Sequence, residues 1–144
     1  MGACYLAEDP LGAWVEVFRK NQLLAEAEIA QRSLLTVALG RDLRLADLTS
    51  RRALKFGVTA SLGADERYEP SQVFAAEAVQ EGFDGIRYLV RHDPAQKLYG
   101  IALFAPAGAT DPADPQWPTA SAAILAELIA VAQRVFGYRV LPTP

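Results

Sequence analysis

The sequence predicts an α+β fold in which a mixed sheet packs against helices, and three observations lead to this class. Short apolar or β-branched runs alternate loosely with longer runs of helical periodicity. Two helical runs begin with an acidic residue followed by proline, at Asp9-Pro10 and Glu69-Pro70. The chain has 144 residues, 51% of them hydrophobic and 22% charged, which suits one domain with one core.

A strand and a helix are expected at the start of the chain. Residues 3–7 form an apolar run that predicts a strand. Asp9 is a favourable N-cap, because its carboxylate can accept a hydrogen bond from the first helical turn, and Pro10 suits the first helical position. We therefore expect a helix from there to about Asn21.

The middle of the chain predicts one strand and two further helices. Residues 33–39 are apolar and β-branched, which is typical of a buried strand. Residues 46–57 predict a short helix that a glycine ends. Residues 70–81 predict a longer helix with a proline at its start and a glycine after its end.

Two strands, a linker and a last helix complete the predicted order. Residues 84–90 and 98–104 predict strands joined by a short turn that contains an Asp-Pro pair. Residues 105–118 are rich in proline and aspartate and predict a surface linker. Residues 119–136 predict a helix, which a possible strand at 138–142 follows.

Charge and composition argue against several partners. The net charge of −3 and the pI near 5.1 argue against direct binding of nucleic acid. The longest apolar run, residues 120–132, is too short for a bilayer and contains Glu127. The single cysteine, Cys4, cannot form an internal disulfide, so we expect a cytoplasmic protein with this thiol buried.

Common catalytic motifs are absent from the sequence. Neither of the two glycine-rich phosphate loops occurs, and no serine lies in a G-x-S-x-G elbow. His92 is the only histidine, so a metal site would need mostly carboxylate ligands. We therefore expect no metal cofactor.

Glu16 is the carboxylate of interest in the first helix. On a helical wheel Leu11, Trp14 and Phe18 lie together and are expected to face the core, whereas Glu16 lies on the opposite side. The simplest interpretation is an exposed pair with Lys20, worth about 0.3–0.5 kcal/mol.

Gly12 allows a second interpretation of the same helix. A glycine inside a helix costs roughly 0.5–1 kcal/mol relative to alanine, so the missing side chain should bring some advantage. Because Gly12 lies one turn before Glu16, it would open space for a ligand beside the carboxylate. Tyr5 on the preceding strand could offer that ligand an aromatic face.

Three segments together resemble the RES domain, a family named for its arginine, glutamate and serine. The segments are "YLAEDPLGAWVEVFR", "SQVFAAEAVQEGFDGIRYLVRHDP" and "YGIALF". The resemblance implies a single domain over residues 1–144, with the matching core at 3–104, the linker at 105–118 and a C-terminal helix and tail at 119–144. It also implies a fold related to ADP-ribosyltransferases.

The resemblance implies an activity and a partner as well. RES proteins are mostly toxins of bacterial toxin-antitoxin pairs. They cleave NAD+, their substrate, at the nicotinamide-ribose bond by phosphorolysis, hydrolysis or transfer of ADP-ribose. The implied partner is a small helix-turn-helix antitoxin that fills the active site.

Carried over residue by residue, the family's pattern is only partly present. The family's glutamate falls on Glu16 and its strand tyrosine on Tyr5, whereas its serine aligns with Val90. The family's arginine is expected in a segment before Gly2, and Arg91 is the matching cation that remains to bind the pyrophosphate. Because of the missing arginine, we expect this 144-residue form to bind NAD+ weakly or not at all, and a longer form with an upstream segment to recover affinity.

Three functions therefore compete. The first is an enzyme that cleaves NAD+ through Glu16. The second is a RES-like binding or interaction module without turnover, because Val90 has no hydroxyl and the arginine is absent. The third is a plain α+β protein whose last helix, apolar nearly all round, serves assembly. That helix predicts a homo-oligomer, with a central core helix of the monomer as the alternative.

Overall fold

The fold is built around a sheet that contains both parallel and antiparallel neighbours. The computed structural model describes residues 2–19, 21–59, 62, 69–105 and 119–142. The elements in chain order are β1 (Gly2–Ala7), α1 (Pro10–Phe18), β2 (Leu23–Ala25), α2 (Glu26–Ala30), β3 (Ser33–Val37), β4 (Leu45–Asp47), a 3-10 helix (Arg51–Phe56), α3 (Glu69–Gln80), β5 (Gly85–Leu89), β6 (Tyr99–Ala105), β7 (Thr119–Ala123), α4 (Ala126–Phe136) and β8 (Arg139–Leu141). These elements confirm the predicted α+β class.

The four strands of the main sheet follow the order β1-β6-β5-β4. β6 is antiparallel to both β1 and β5, whereas β5 and β4 are parallel. Two smaller ladders join distant parts of the chain: β2 pairs with β8 in parallel, and β3 pairs with β7 in antiparallel orientation. The sheet is therefore mixed, as predicted.

Two helices lie over one face of the main sheet, which we call the helical face. The register places Tyr5 of β1 and Ile86 of β5 on either side of Ala102 of β6 on this face. α1 approaches the face at Ala7. α3 packs on it through Ala78, which lies in one hydrophobic cluster with Ile86.

The larger hydrophobic cluster fixes α1 against the C-terminal part of the chain. The ring centroid of Trp14 lies 4.5 Å from that of Phe18 and 5.7 Å from that of Tyr138. Burying a large apolar side chain contributes about 1.5–3 kcal/mol, so this contact holds the helix firmly. The structure thus confirms the predicted core side of α1. The other buried members are Val15, Leu24, Ile29, Val90 and Ala132.

The start of α1 follows the prediction, and its end differs. The Asp9 carboxylate accepts a hydrogen bond of 2.7 Å from the amide of Leu11, and Pro10 is the first helical residue. The helix ends at Phe18, because Arg19 has a φ of 48° and turns the backbone away. The predicted extension to about Asn21 is therefore wrong.

Residues 119–123 form strand β7, whereas the sequence predicted a helix over 119–136. β7 pairs with β3 along its whole length, from Val37 opposite Thr119 to Ser33 opposite Ala123. Its small residues have little preference for a strand, so the neighbouring strand decides its conformation. The helix α4 begins only at Ala126.

α4 is amphipathic, which corrects the expectation that it is apolar nearly all round. Ala132 is completely buried, and Leu128 and Ile129 pack against the same cluster. Glu127 and Arg134 lie on the exposed side. The monomer therefore already covers the apolar side of this helix.

Three shorter regions also differ from the predictions. β3 is mostly exposed, with 60% of Leu35 accessible, and is not the buried strand expected for 33–39. Residues 46–57 are not one helix but contain part of β4 and the 3-10 helix, which does end at Gly57. Residues 23–30 carry β2 and α2, which the sequence did not predict. Residues 106–118 of the predicted linker lie outside the described residues.

Candidate functional site

Tyr88 is the centre of the candidate site on the helical face. It lies opposite Gly100 in the β5–β6 register, and its ring covers that glycine. A Cβ atom at Gly100 would overlap the ring carbon Cζ of Tyr88, so only glycine leaves room for the ring. The ring position thus depends on a glycine in the neighbouring strand.

The electrostatics of Tyr88 connect it with two residues that the sequence singled out. Burial raises the pKa of Tyr88 well above its ordinary value, and the electrostatic interactions with Glu16 and Tyr5 raise it further. Both groups therefore lie within electrostatic range of the Tyr88 phenol. At neutral pH the phenol keeps its proton and can donate a hydrogen bond.

Tyr5 offers an accessible aromatic ring on the same face of the sheet as this phenol, with β6 between their strands. It lies on the edge strand β1, opposite Ala102, and 72% of the residue is exposed. Its neighbour Cys4 is also exposed, which corrects the expectation of a buried thiol. An exposed ring beside small residues leaves space for a flat ligand to stack on it.

Glu16 lies on α1 and is half-buried. It is directed away from Trp14 and Phe18, which are in the core. The helical wheel therefore predicted its side of the helix correctly. Lys20, its predicted partner, lies outside the described residues. Among the predicted site residues, Glu16 on α1 and Tyr5 on β1 are therefore both within electrostatic range of Tyr88.

Gly12 has a packing role that differs from the interpretation as space for a ligand. It is buried, and a Cβ atom there would lie 3.1 Å from the Cβ of Ala7 and 3.7 Å from the carbonyl oxygen of Tyr99. The missing side chain allows α1 to approach β1 and β6 closely. Gly12 therefore sets the height of the helix above the sheet.

Val90, which the resemblance aligns with the family's serine, occupies a core position. Only 1% of it is accessible, and its backbone amide donates a hydrogen bond of 2.9 Å to the carbonyl of Leu98. Arg91 follows it at the end of β5 and is exposed. The Val90 side chain therefore provides neither a hydroxyl nor access to a ligand.

The turn between β5 and β6 is organised by Asp93, which the sequence placed in a connector. This carboxylate is buried and accepts hydrogen bonds from three backbone amides. The donors are Ala95 at 3.0 Å, Lys97 at 2.7 Å and Leu98 at 2.9 Å. His92 precedes it and is half-buried. Asp93 therefore fixes the connection between the strands that carry Tyr88 and Gly100.

Sequence reasoning missed Tyr88 and Gly100. Each is unremarkable on its own strand, and they meet only because of the strand register. A tyrosine before the Asp-Pro turn and a glycine after it give a signal for a cross-strand pair, once a hairpin is assumed.

A separate open cavity of about 450 Å³ lies between the 3-10 helix and α3. Phe56, Val73 and Glu77 are among its lining residues, and none of the predicted site residues lines it. Within the described ranges, no three His, Cys, Asp or Glu side chains form a group that could hold a metal ion. Over the same ranges, no helix has the length and apolar character needed to cross a membrane.

Comparison with known protein families shows to which family the chain belongs. A family model described as the RES domain matches residues 1–121. The chain belongs to the RES domain family. The match extends from β1 through most of β7, so the RES domain includes more of the chain than the resemblance over 3–104 indicated. Searches of curated proteins and of solved structures found no match.

Proposed function

We propose that this RES domain cleaves NAD+ at the bond between nicotinamide and ribose. The observation that supports this most is the placement of Glu16 on α1 and of Tyr5 and Tyr88 on the helical face, with both Glu16 and Tyr5 within electrostatic range of Tyr88. These groups provide a carboxylate, an accessible aromatic ring and a neutral phenol on the same side of the sheet. Membership of the RES domain family gives the reaction class its support.

Each residue has a specific role in the proposed reaction. The bond from the ribose C1′ to the nicotinamide nitrogen breaks, and its electron pair leaves with nicotinamide. Positive charge then develops on the ribose, and the Glu16 carboxylate stabilises it. Water, phosphate or a protein nucleophile adds to C1′. Tyr5 stacks on the nicotinamide ring, and Arg91 binds the pyrophosphate.

The Tyr88 phenol completes this scheme as a hydrogen-bond donor. Because its pKa is raised by burial, it stays protonated across the physiological range. It can therefore donate to a ribose hydroxyl without adding a negative charge beside Glu16.

The test is the release of nicotinamide from NAD+, followed by chromatography. We expect release by the wild-type chain and a decrease of about a hundredfold in Glu16→Gln, which is the cost of removing one electrostatic stabiliser. Glu127→Gln, at an exposed carboxylate on α4, is the matched control and should keep the wild-type rate. No release by the wild type, or equal release by Glu16→Gln, would contradict the proposal.

A second candidate function, a RES-like binding module without turnover, has support from one observation. The resemblance aligns position 90 with the family's serine, and this position holds a valine that has no hydroxyl and is buried in the core. This candidate predicts a calorimetric binding signal with NAD+ and no nicotinamide release over many hours. Release that depends on Glu16 would exclude it.

A further inference from the structure

Arg87 makes a dense set of contacts on the face of the sheet opposite Tyr88. Its Nε and Nη2 donate to the two carboxylate oxygens of Glu8 at 2.6 and 3.1 Å, and its Nη1 donates to the Thr49 hydroxyl at 3.0 Å. The guanidinium carbon lies 3.8 Å from the ring centroid of Tyr99. The carboxylate of Asp47 lies 3.7 Å from Nη1. Arg87 is thus held by four neighbours.

The paired hydrogen bonds from Arg87 to the Glu8 carboxylate, which we call the fork, restrain the beginning of α1. Glu8 immediately precedes Asp9, the N-cap of the helix, and Pro10, its first residue. The Glu8 backbone amide also donates to the carbonyl of Tyr99 at 3.1 Å. Glu8 is therefore fixed through its backbone by β6 and through its side chain by β5. Both contacts restrain the first turn of α1 relative to the sheet.

Strand β5 places one residue of interest on each face of the sheet. Arg87 and Tyr88 are consecutive residues of β5, so their side chains point to opposite faces. Arg87 holds the helix start on one face, while Tyr88 lies within range of Glu16 on the other. Pro10 and Glu16 are about 9 Å apart along the helix axis, so a tilt at the start displaces the carboxylate.

We propose that Arg87 is a positioning residue for the reaction, because its two-point contact with Glu8 restrains the start of α1, in addition to the hydrophobic cluster around Trp14, and thereby the place of Glu16 relative to Tyr88. This proposal rests on the proposed function. Arg87 does not touch the substrate, since its side chain lies on the other face. A partly exposed ion pair contributes little to global stability, whereas a displacement of about 1 Å in an active site can cost up to a hundredfold in rate.

The kinetic test uses Arg87→Met and Glu8→Ala, alone and combined. We expect kcat for nicotinamide release to fall roughly tenfold in each single variant. It should fall no further in the double variant, because the contact between Arg87 and Glu8 is lost in all three variants. KM should change less than twofold. Arg87→Lys keeps the charge but cannot form the fork, so it should also be slow. Arg41→Gln breaks the ion pair with Asp84 elsewhere and should keep the wild-type kcat.

A second readout needs no activity. Hydrogen exchange of a peptide covering residues 8–18 should be faster in Arg87→Met and Glu8→Ala than in the wild type and in Arg41→Gln, at an unchanged melting temperature. Glu8 is exposed, so Glu8→Ala tests the contact even where Arg87→Met unfolds. Unchanged exchange in Glu8→Ala, additive kinetic effects, or full rescue by lysine would overturn the positioning role. A wild type without nicotinamide release would instead refute the proposed function, and the exchange result would still decide whether the fork holds α1.

Discussion

Val90 shows how a residue aligned with a functional position can take a purely structural place. Its side chain lies in the core cluster that also contains Trp14 and Val15. The resemblance to the RES domain placed the family's serine at this position, but it could not show that the position is buried. Burial follows from the packing of α1 against the end of β5, which only the fold reveals.

Restoring serine at this position should damage the fold and not improve the activity. Val90→Ser removes apolar contacts and leaves a buried hydroxyl without a hydrogen-bond partner, so the free energy of unfolding should fall by about 1–3 kcal/mol. Urea denaturation measures this loss, and Val90→Ala separates the packing effect from the cost of the hydroxyl. A serine variant that is fully stable and releases nicotinamide faster would show that our view of Val90 is wrong.

Glu16 and Tyr5 could be named from the sequence, whereas Tyr88 could not. The helical wheel excluded Glu16 from the core, and the resemblance gave both residues a role. Tyr88 becomes visible only through its raised pKa and its position over Gly100. Contacts between strands depend on register, and the sequence does not specify register by itself.

At the scale of elements, local signals predicted those helices that carry strong start signals. The Asp-Pro and Glu-Pro pairs marked α1 and α3 correctly. β7 was missed, because "TASAA" has no strand preference and gains its conformation from pairing with β3. The predicted start of α4 was too early, because the alanine-rich residues before it favour a helix locally.

Asp84, which precedes β5, is hydrogen-bonded to the segment that precedes β4. Its carboxylate should make the free energy of unfolding depend on pH. Its carboxylate accepts hydrogen bonds from the side chain of Arg41 at 2.7 Å and from the amide of Arg44 at 2.8 Å. These contacts lower the pKa of Asp84 from 3.8 to about 2. Because the folded pKa lies below the unfolded value, the contribution to stability is present above about pH 4 and disappears between pH 4 and 2.

Thermal unfolding at a series of pH values tests this contribution. The melting temperature of the wild type should decrease below pH 4, and Asp84→Asn should show a shallower decrease over the same interval. Asp42→Asn controls for the removal of a nearby carboxylate, because Asp42 lies in the same exposed segment as Arg41. Identical profiles for Asp84→Asn and the wild type would show that the Arg41 contact has no effect on stability.

At the scale of the whole molecule, the RES domain assignment is secure, and the assembly stays a prediction. The homo-oligomer was expected from an apolar last helix, but α4 already packs its apolar side on the monomer core. The last helix therefore supports a homo-oligomer less than its sequence alone indicated. Both the homo-oligomer and the helix-turn-helix antitoxin are proposals that light scattering and co-purification can test.

The most direct measurement of the central claim locates NAD+ on the protein. Nuclear magnetic resonance of the labelled chain, titrated with a non-cleavable NAD+ analogue, reports which backbone amides sense the ligand. Our account predicts shifts at Glu16, Gly100 and Ala102 on the helical face. Shifts confined to the separate cavity near Phe56 and Val73, or no shifts at all, would contradict it.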